Sequence, residues 1–119
     1  MNVPKIYKYN GHVFNNKREG GGIYEQFNNF LYIGFWKDNK FDGLGFCRWN
    51  TEDVYLGSYM QGMRHGYGIF KYRNGNIYKG EWKFDSKTGN GEYRNNELGY
   101  LYVGMWYDNL RHGMGQLSI

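Results

Sequence analysis

The 119 residues make one small domain by length. Nineteen glycines, one proline and no alanine argue against a helical bundle, because alanine is the best helix former and glycine nearly the worst. A mean hydropathy of −0.83 would suit a disordered chain, but 13 Tyr, 8 Phe and 4 Trp exclude that, and a formal charge of +4 permits an anionic partner without demanding one.

Met1–Asn10 lacks the apolar core of a signal peptide, and no apolar run approaches the ~18 residues of a membrane-spanning helix. From Tyr9 onward a repeat governs the chain. Tyr9-Asn-Gly11, Tyr32-Ile-Gly34, Tyr55-Leu-Gly57, Tyr78-Lys-Gly80 and Tyr102-Val-Gly104 recur at spacings of 23, 23, 23 and 24 residues. Two positions after each of these glycines stands Val13, Trp36, Tyr59, Trp82 or Trp106. A Gly-x-Gly pair follows in every unit: Gly20 and Gly22, Gly43 and Gly45, Gly66 and Gly68, Gly89 and Gly91, Gly113 and Gly115. Tyr-x-Gly-x-Trp alternates with period two, which is the signal of a strand. A polar stretch such as Lys37–Asp42 then turns the chain, and Gly-x-Gly opens a second alternating run such as Phe46–Trp49. Units join through Asn28-Asn29, Thr51-Glu52, Asn74-Gly75 and Asn95–Gly99, the last carrying the extra residue. The expected fold is all-β: an elongated, twisted, single-layer antiparallel meander of about ten strands built from repeated β-hairpins. At ~4.8 Å per strand it would be about 50 Å long, and residues 1–119 would form one array with no linker.

Tyr-x-Gly-x-Trp followed by Gly-x-Gly, with Arg64-His65-Gly66-Tyr67-Gly68 and Arg111-His112-Gly113-Met114-Gly115, resembles the MORN repeat (membrane occupation and recognition nexus). The resemblance runs from Tyr9 to Leu117. Its first copy departs from the pattern at Val13, where Trp is expected, and in the Gly20–Gly22 run. It implies a non-enzymatic module of the kind found in tethers apposed to membranes, cell cortex, cytoskeleton and cilia. Some relatives bind protein partners in a groove, others have been proposed to bind acidic phospholipids, and some oligomerise through a terminal repeat.

Pairing each Tyr with the residue fifteen further on places Tyr32 opposite Cys47, Gly34 opposite Gly45 and Trp36 opposite Gly43; the third unit repeats this with Tyr55–Phe70, Gly57–Gly68 and Tyr59–Gly66. One face then carries an aromatic ladder lying on bare glycine backbone, each ring burying about 150–250 Å². The other face pairs Ile33 with Phe46, Phe35 with Leu44 and Leu56 with Ile69, and turns polar at Lys79–Glu92 and Glu81–Asn90. Ile33, Phe35, Leu44, Phe46, Leu56 and Ile69 are therefore expected to dock an apolar partner, an amphipathic helix or an extended peptide; the alternative is that sheet curvature lets them cover one another. A second candidate surface is the turn cations Lys17, Arg18, Lys40, Arg64, Lys87 and Arg111, read as one repeat position that would set a row of charges about 10 Å apart along one sheet edge. Such a row would meet acidic phospholipid, although Asp38, Asp42, Asp85 and Asp108 oppose it.

Catalytic chemistry is not expected, nor a cofactor or a metal site. The single cysteine, Cys47, fits a small core residue and a reducing, cytoplasmic setting; the resemblance to MORN-repeat proteins implies cytoskeleton, cortex, cilium or membrane periphery as locations. His65 and His112 read as turn residues that hydrogen-bond backbone. A nucleic-acid platform is set aside because the periodic rings are needed for packing. Ile119 follows directly on the last expected strand, so Gly113–Ile119 is expected to be an uncapped edge, open to a second copy or another protein, or the cut end of a fragment.

Overall fold

A computed structural model describes residues 7–119, and among them there is no helix. Ten strands form one antiparallel sheet in strict chain order: β1 (Tyr7–Phe14), β2 (Lys17–Gln26), β3 (Leu31–Lys37), β4 (Lys40–Arg48), β5 (Val54–Met60), β6 (Met63–Lys71), β7 (Ile77–Lys83), β8 (Ser86–Asn95), β9 (Tyr100–Tyr107) and β10 (Leu110–Ser118). The long dimension is 49 Å, as ten strands require.

The turn inside each unit is tighter than the polar stretch suggests. It has two residues, and both take positive φ: Asn15-Asn16, Asp38-Asn39, Gln61-Gly62, Phe84-Asp85 and Asp108-Asn109. That is the primed turn whose twist matches paired strands. It fixes Lys37 against Lys40 and Trp36 against Phe41. Farther from the turn, Gly34 pairs with Gly45, Ile33 with Phe46 and Tyr32 with Cys47. The two registers differ by two residues, and β4 absorbs them as a bulge over Asp42–Leu44, with Gly43 at φ 94°. Every unit repeats this bulge. The expected pairs Trp36–Gly43, Tyr59–Gly66, Phe35–Leu44 and Glu81–Asn90 are therefore corrected, because one register does not run through the hairpin. Gly43 lies opposite Tyr59 of the next unit instead, as Gly20 lies opposite Trp36, Gly66 opposite Trp82 and Gly89 opposite Trp106. An insertion of two residues keeps the alternation of faces, so each side chain still points to its expected side.

The core lies on one face. Tyr32, Tyr55 and Tyr78 have no exposure, and Trp36, Trp82 and Trp106 are buried with them. Each tyrosine ring lies across two paired glycines. A Cβ on Gly34 would come within 2.6 Å of the Leu44 carbonyl and 2.8 Å of the Tyr32 hydroxyl. Along the sheet each ring meets the Trp position of its own unit and of the next: Tyr55 stands edge-on to Tyr59 at 5.2 Å and to Trp82 at 5.5 Å, Tyr78 to Trp82 and Trp106 at 5.3 Å each. The polar tips of the Tyr-x-Gly tyrosines and of Trp36, Trp82 and Trp106 are satisfied by backbone. Tyr32 Oη donates to the Phe35 carbonyl at 2.7 Å, and Trp36 Nε1 donates to the Gly22 carbonyl of the preceding unit at 3.2 Å. A single sheet thus holds a core without a second layer.

Candidate functional site

The two faces of the sheet differ in what covers them. The aromatic face is covered by its own rings. On the opposite face the strand register builds a row that crosses the sheet, Ile23–Ile33–Phe46–Leu56–Ile69, and then continues as Lys79–Glu92–Val103. These side chains are accessible: Ile33 is 44% exposed, Leu56 49%, and Phe35 and Leu44, set toward the turns, 52% and 57%. Phe46 and Ile69 are half-buried. The six candidate docking residues share one face over β3–β6, although Phe35 and Leu44 do not pair. Ile23, which extends the row by one strand, escapes the sequence reading because its unit departs from the repeat pattern.

The turn cations do not form the expected row. In register, Arg18, Arg64, Lys87 and Arg111 correspond to Phe41; Lys40 stands one position earlier, with Lys17, and points to the opposite face. Phe41 stacks on Tyr32 with ring centroids 3.8 Å apart, and the cations occupy its place over the rings. The Arg18 guanidinium lies 4.6 Å from the Trp36 ring and that of Arg64 4.6 Å from Trp82. Lys87 sits over Tyr78 and Trp106 and donates to the Tyr72 hydroxyl, while Arg111 lies over Tyr100 and Tyr102. Burial holds the Lys87 ammonium below the usual lysine range, and Arg64 adds to the effect. Arg64 also donates its backbone N–H to Asp85 Oδ1 at 2.8 Å and its Nε to the same oxygen at 3.1 Å. Arg18 uses Asn39 in the same way. These side chains cap the aromatic ladder and tie each turn to the next.

A second periodic set of cations without acidic partners lies on the open face. Arg48, Lys71 and Arg94 recur at intervals of 23 residues. They fall in one row of the open face, Leu31–Arg48–Val54–Lys71–Ile77–Arg94–Leu101, directly beside the apolar row. All three are exposed and none has an acidic partner among the described residues. The signal was the recurrence itself, which the conspicuous Arg-His-Gly turns obscured.

Cys47 is buried in the core and its thiol is pushed up to about 11 by burial. His65 Nδ1 accepts the Phe84 backbone N–H at 3.3 Å, the turn role expected of it. β10 pairs with β9 alone among the described strands and is exposed along its length. A family model described as MORN repeat matches residues 32–54, 55–77, 78–96 and 102–118, four consecutive units of the sheet. The hairpin β1–β2, outside those matches, repeats their bulge and their Tyr-over-glycine packing. No curated protein matches the chain.

Proposed function

The chain belongs to the MORN-repeat family, and from that premise we propose that it is a non-enzymatic interaction scaffold that docks a partner helix or peptide on the open face of the sheet. The observation that carries this reading is the contiguous row Ile23–Ile33–Phe46–Leu56–Ile69, left accessible with Phe35 and Leu44 on a face that no second layer covers. Apolar patches of this kind on a folded surface mark interaction sites. The competing reading, acidic phospholipid bound through Lys17, Arg18, Lys40, Arg64, Lys87 and Arg111, draws less support, since four of the six lie over aromatic rings. Phe35→Asp and Phe46→Asp should leave the circular dichroism of the sheet unchanged and abolish recovery of partners from cell extract. Recovery at the level of the unaltered chain would remove the reading. Flotation with anionic vesicles, retained in those variants and lost in Lys17→Glu/Lys40→Glu, would favour the membrane.

A further inference from the structure

The apolar row and the row of unpaired cations lie two residues apart along the strands, so about 7 Å separates them. Within the cation row, from β3 to β9, there is no acid: Arg48, Lys71 and Arg94 alternate with Leu31, Val54, Ile77 and Leu101. Acids on the turn side of the open face are already engaged. Glu19 accepts the Asp38 N–H, Asp42 the Gln61 N–H and Glu81 the Asn90 N–H. The middle of the face is therefore apolar from β2 to β6 and polar beyond, at Lys79 and Glu92, and beside it the cations Arg48, Lys71 and Arg94 run from β4 to β8, with Glu25 in their row only on β2. The three cations sit on β4, β6 and β8, every second strand, which sets them about 10 Å apart. Seven residues of an α-helix rise about 10.5 Å, and a helix about 10 Å across covers both rows.

We propose that the open face binds an amphipathic α-helix with an acidic flank. The helix lies across the strands, its apolar stripe on Ile33, Phe46, Leu56 and Ile69 and its carboxylates, at heptad spacing, against Arg48, Lys71 and Arg94. The proposal rests on the docking reading above and adds the chemistry of the partner. Lys79 and, toward the turns, Lys37, Lys40 and Lys83 also stand on this face, so an anionic membrane is the competing ligand; the even spacing of Arg48, Lys71 and Arg94 beside the apolar row is what favours a periodic one.

The test uses three fluorescein-labelled helical peptides of about 18 residues, identical in their leucine stripe, with Glu, Gln or Lys at the heptad flank positions. Each is titrated with the full chain by anisotropy at low and at physiological salt. The Glu peptide should bind tightest, the Gln peptide about tenfold more weakly, as three surface ion pairs allow, and the Lys peptide not measurably. Arg48→Glu/Lys71→Glu/Arg94→Glu should reverse the order of the Glu and Lys peptides with the circular dichroism unchanged. Leu56→Asp should weaken all binding. Equal affinity for the Glu and Gln peptides, or no reversal, overturns the charge selection and leaves the docking reading standing. Tight binding of the Glu peptide that ignores both Leu56→Asp and Phe46→Asp overturns the docking reading instead. Failure of the Glu peptide to bind, with flotation of the chain on phosphatidylserine-containing vesicles that the triple variant loses, assigns the face to a membrane and overturns the proposal.

Discussion

The tyrosine of each Tyr-x-Gly has two tasks, covering a bare stretch of backbone and supplying the hydrogen bond that its own burial demands. Tyr55 shows both, since it is fully buried and donates to the Ser58 carbonyl at 2.9 Å. Tyr59 shows what happens when only the first is met. It stands where Trp36 and Trp82 donate to a neighbouring carbonyl, yet its hydroxyl is buried without a partner among the described residues. Tyr55→Phe should therefore cost about 1 kcal/mol, the net worth of a buried hydrogen bond, whereas Tyr59→Phe should be neutral or stabilising because it removes an unsatisfied group. Paired urea denaturation curves check this, and equal losses would refute it. Cys47, in the same cluster, makes the second prediction. Its folded thiol titrates near 11, above its ordinary value, so its contribution is fully present below the unfolded thiol's range and is lost as pH rises toward 11. The buried rings of Tyr32, Tyr55 and Tyr78, also raised by burial, act in the same direction at higher pH. Lys87, lowered by burial, opposes them, since its penalty is relieved as it deprotonates. The unfolding free energy from urea curves should fall between about pH 9 and 11, and Cys47→Ala should remove about 2 kcal/mol of that fall.

At the scale of the element, the hairpin explains what the sequence makes legible and what it does not. Period-two alternation and the recurring glycines are local signals, and they give the strands, the two faces and the identity of the core. The pairing near each turn depends on turn geometry, which two or six polar residues can satisfy equally well in sequence. Only the structure shows that Asp38-Asn39 closes the turn and that the surplus goes into a bulge at Gly43. The same uncertainty of one or two residues places Lys40 with the other turn cations in sequence and apart from them in the sheet. Arg64 and Lys40 then differ sharply in what their removal should do. Arg64 lies over Trp82 and binds Asp85 with only 22% of its side chain exposed; Lys40 projects from an exposed turn. Arg64→Ala should destabilise the chain by about 1–3 kcal/mol, the combined scale of a desolvated cation–π contact and a charged hydrogen bond. Lys40→Ala should change stability by less than about 0.5 kcal/mol. Thermal denaturation of the two variants decides the matter, and equal, small effects would mean that Arg64 is a solvated surface charge after all.

Across the whole molecule, each unit touches only its neighbours, so stability is a sum of unit and interface terms and need not be uniform. The ladder explains where it should be greatest. Tyr32, Tyr55 and Tyr78 each meet the ring of their own unit and that of the next. Tyr9 meets Trp36 of the following unit but has no ring of its own, because Val13 occupies the place and is 60% exposed. Tyr102 meets only the ring of Trp106, of its own unit, among the described residues, and β10 is exposed throughout. Among the described residues the hairpins β1–β2 and β9–β10 thus have half of the ladder contacts that a central unit has. Native-state hydrogen exchange should show the amides of β1 and β10 opening at a free energy well below that of β4–β7, which should exchange only with global unfolding. Val13→Trp supplies the missing ring beside Tyr9. It should raise protection in β1 and β2 and leave β10 as it was, because nearest-neighbour coupling carries the gain no farther than the adjoining unit. Uniform protection from β1 to β10, or a gain at β10 from Val13→Trp, would show that the sheet opens as one cooperative body and that the end units are held by something other than the ladder.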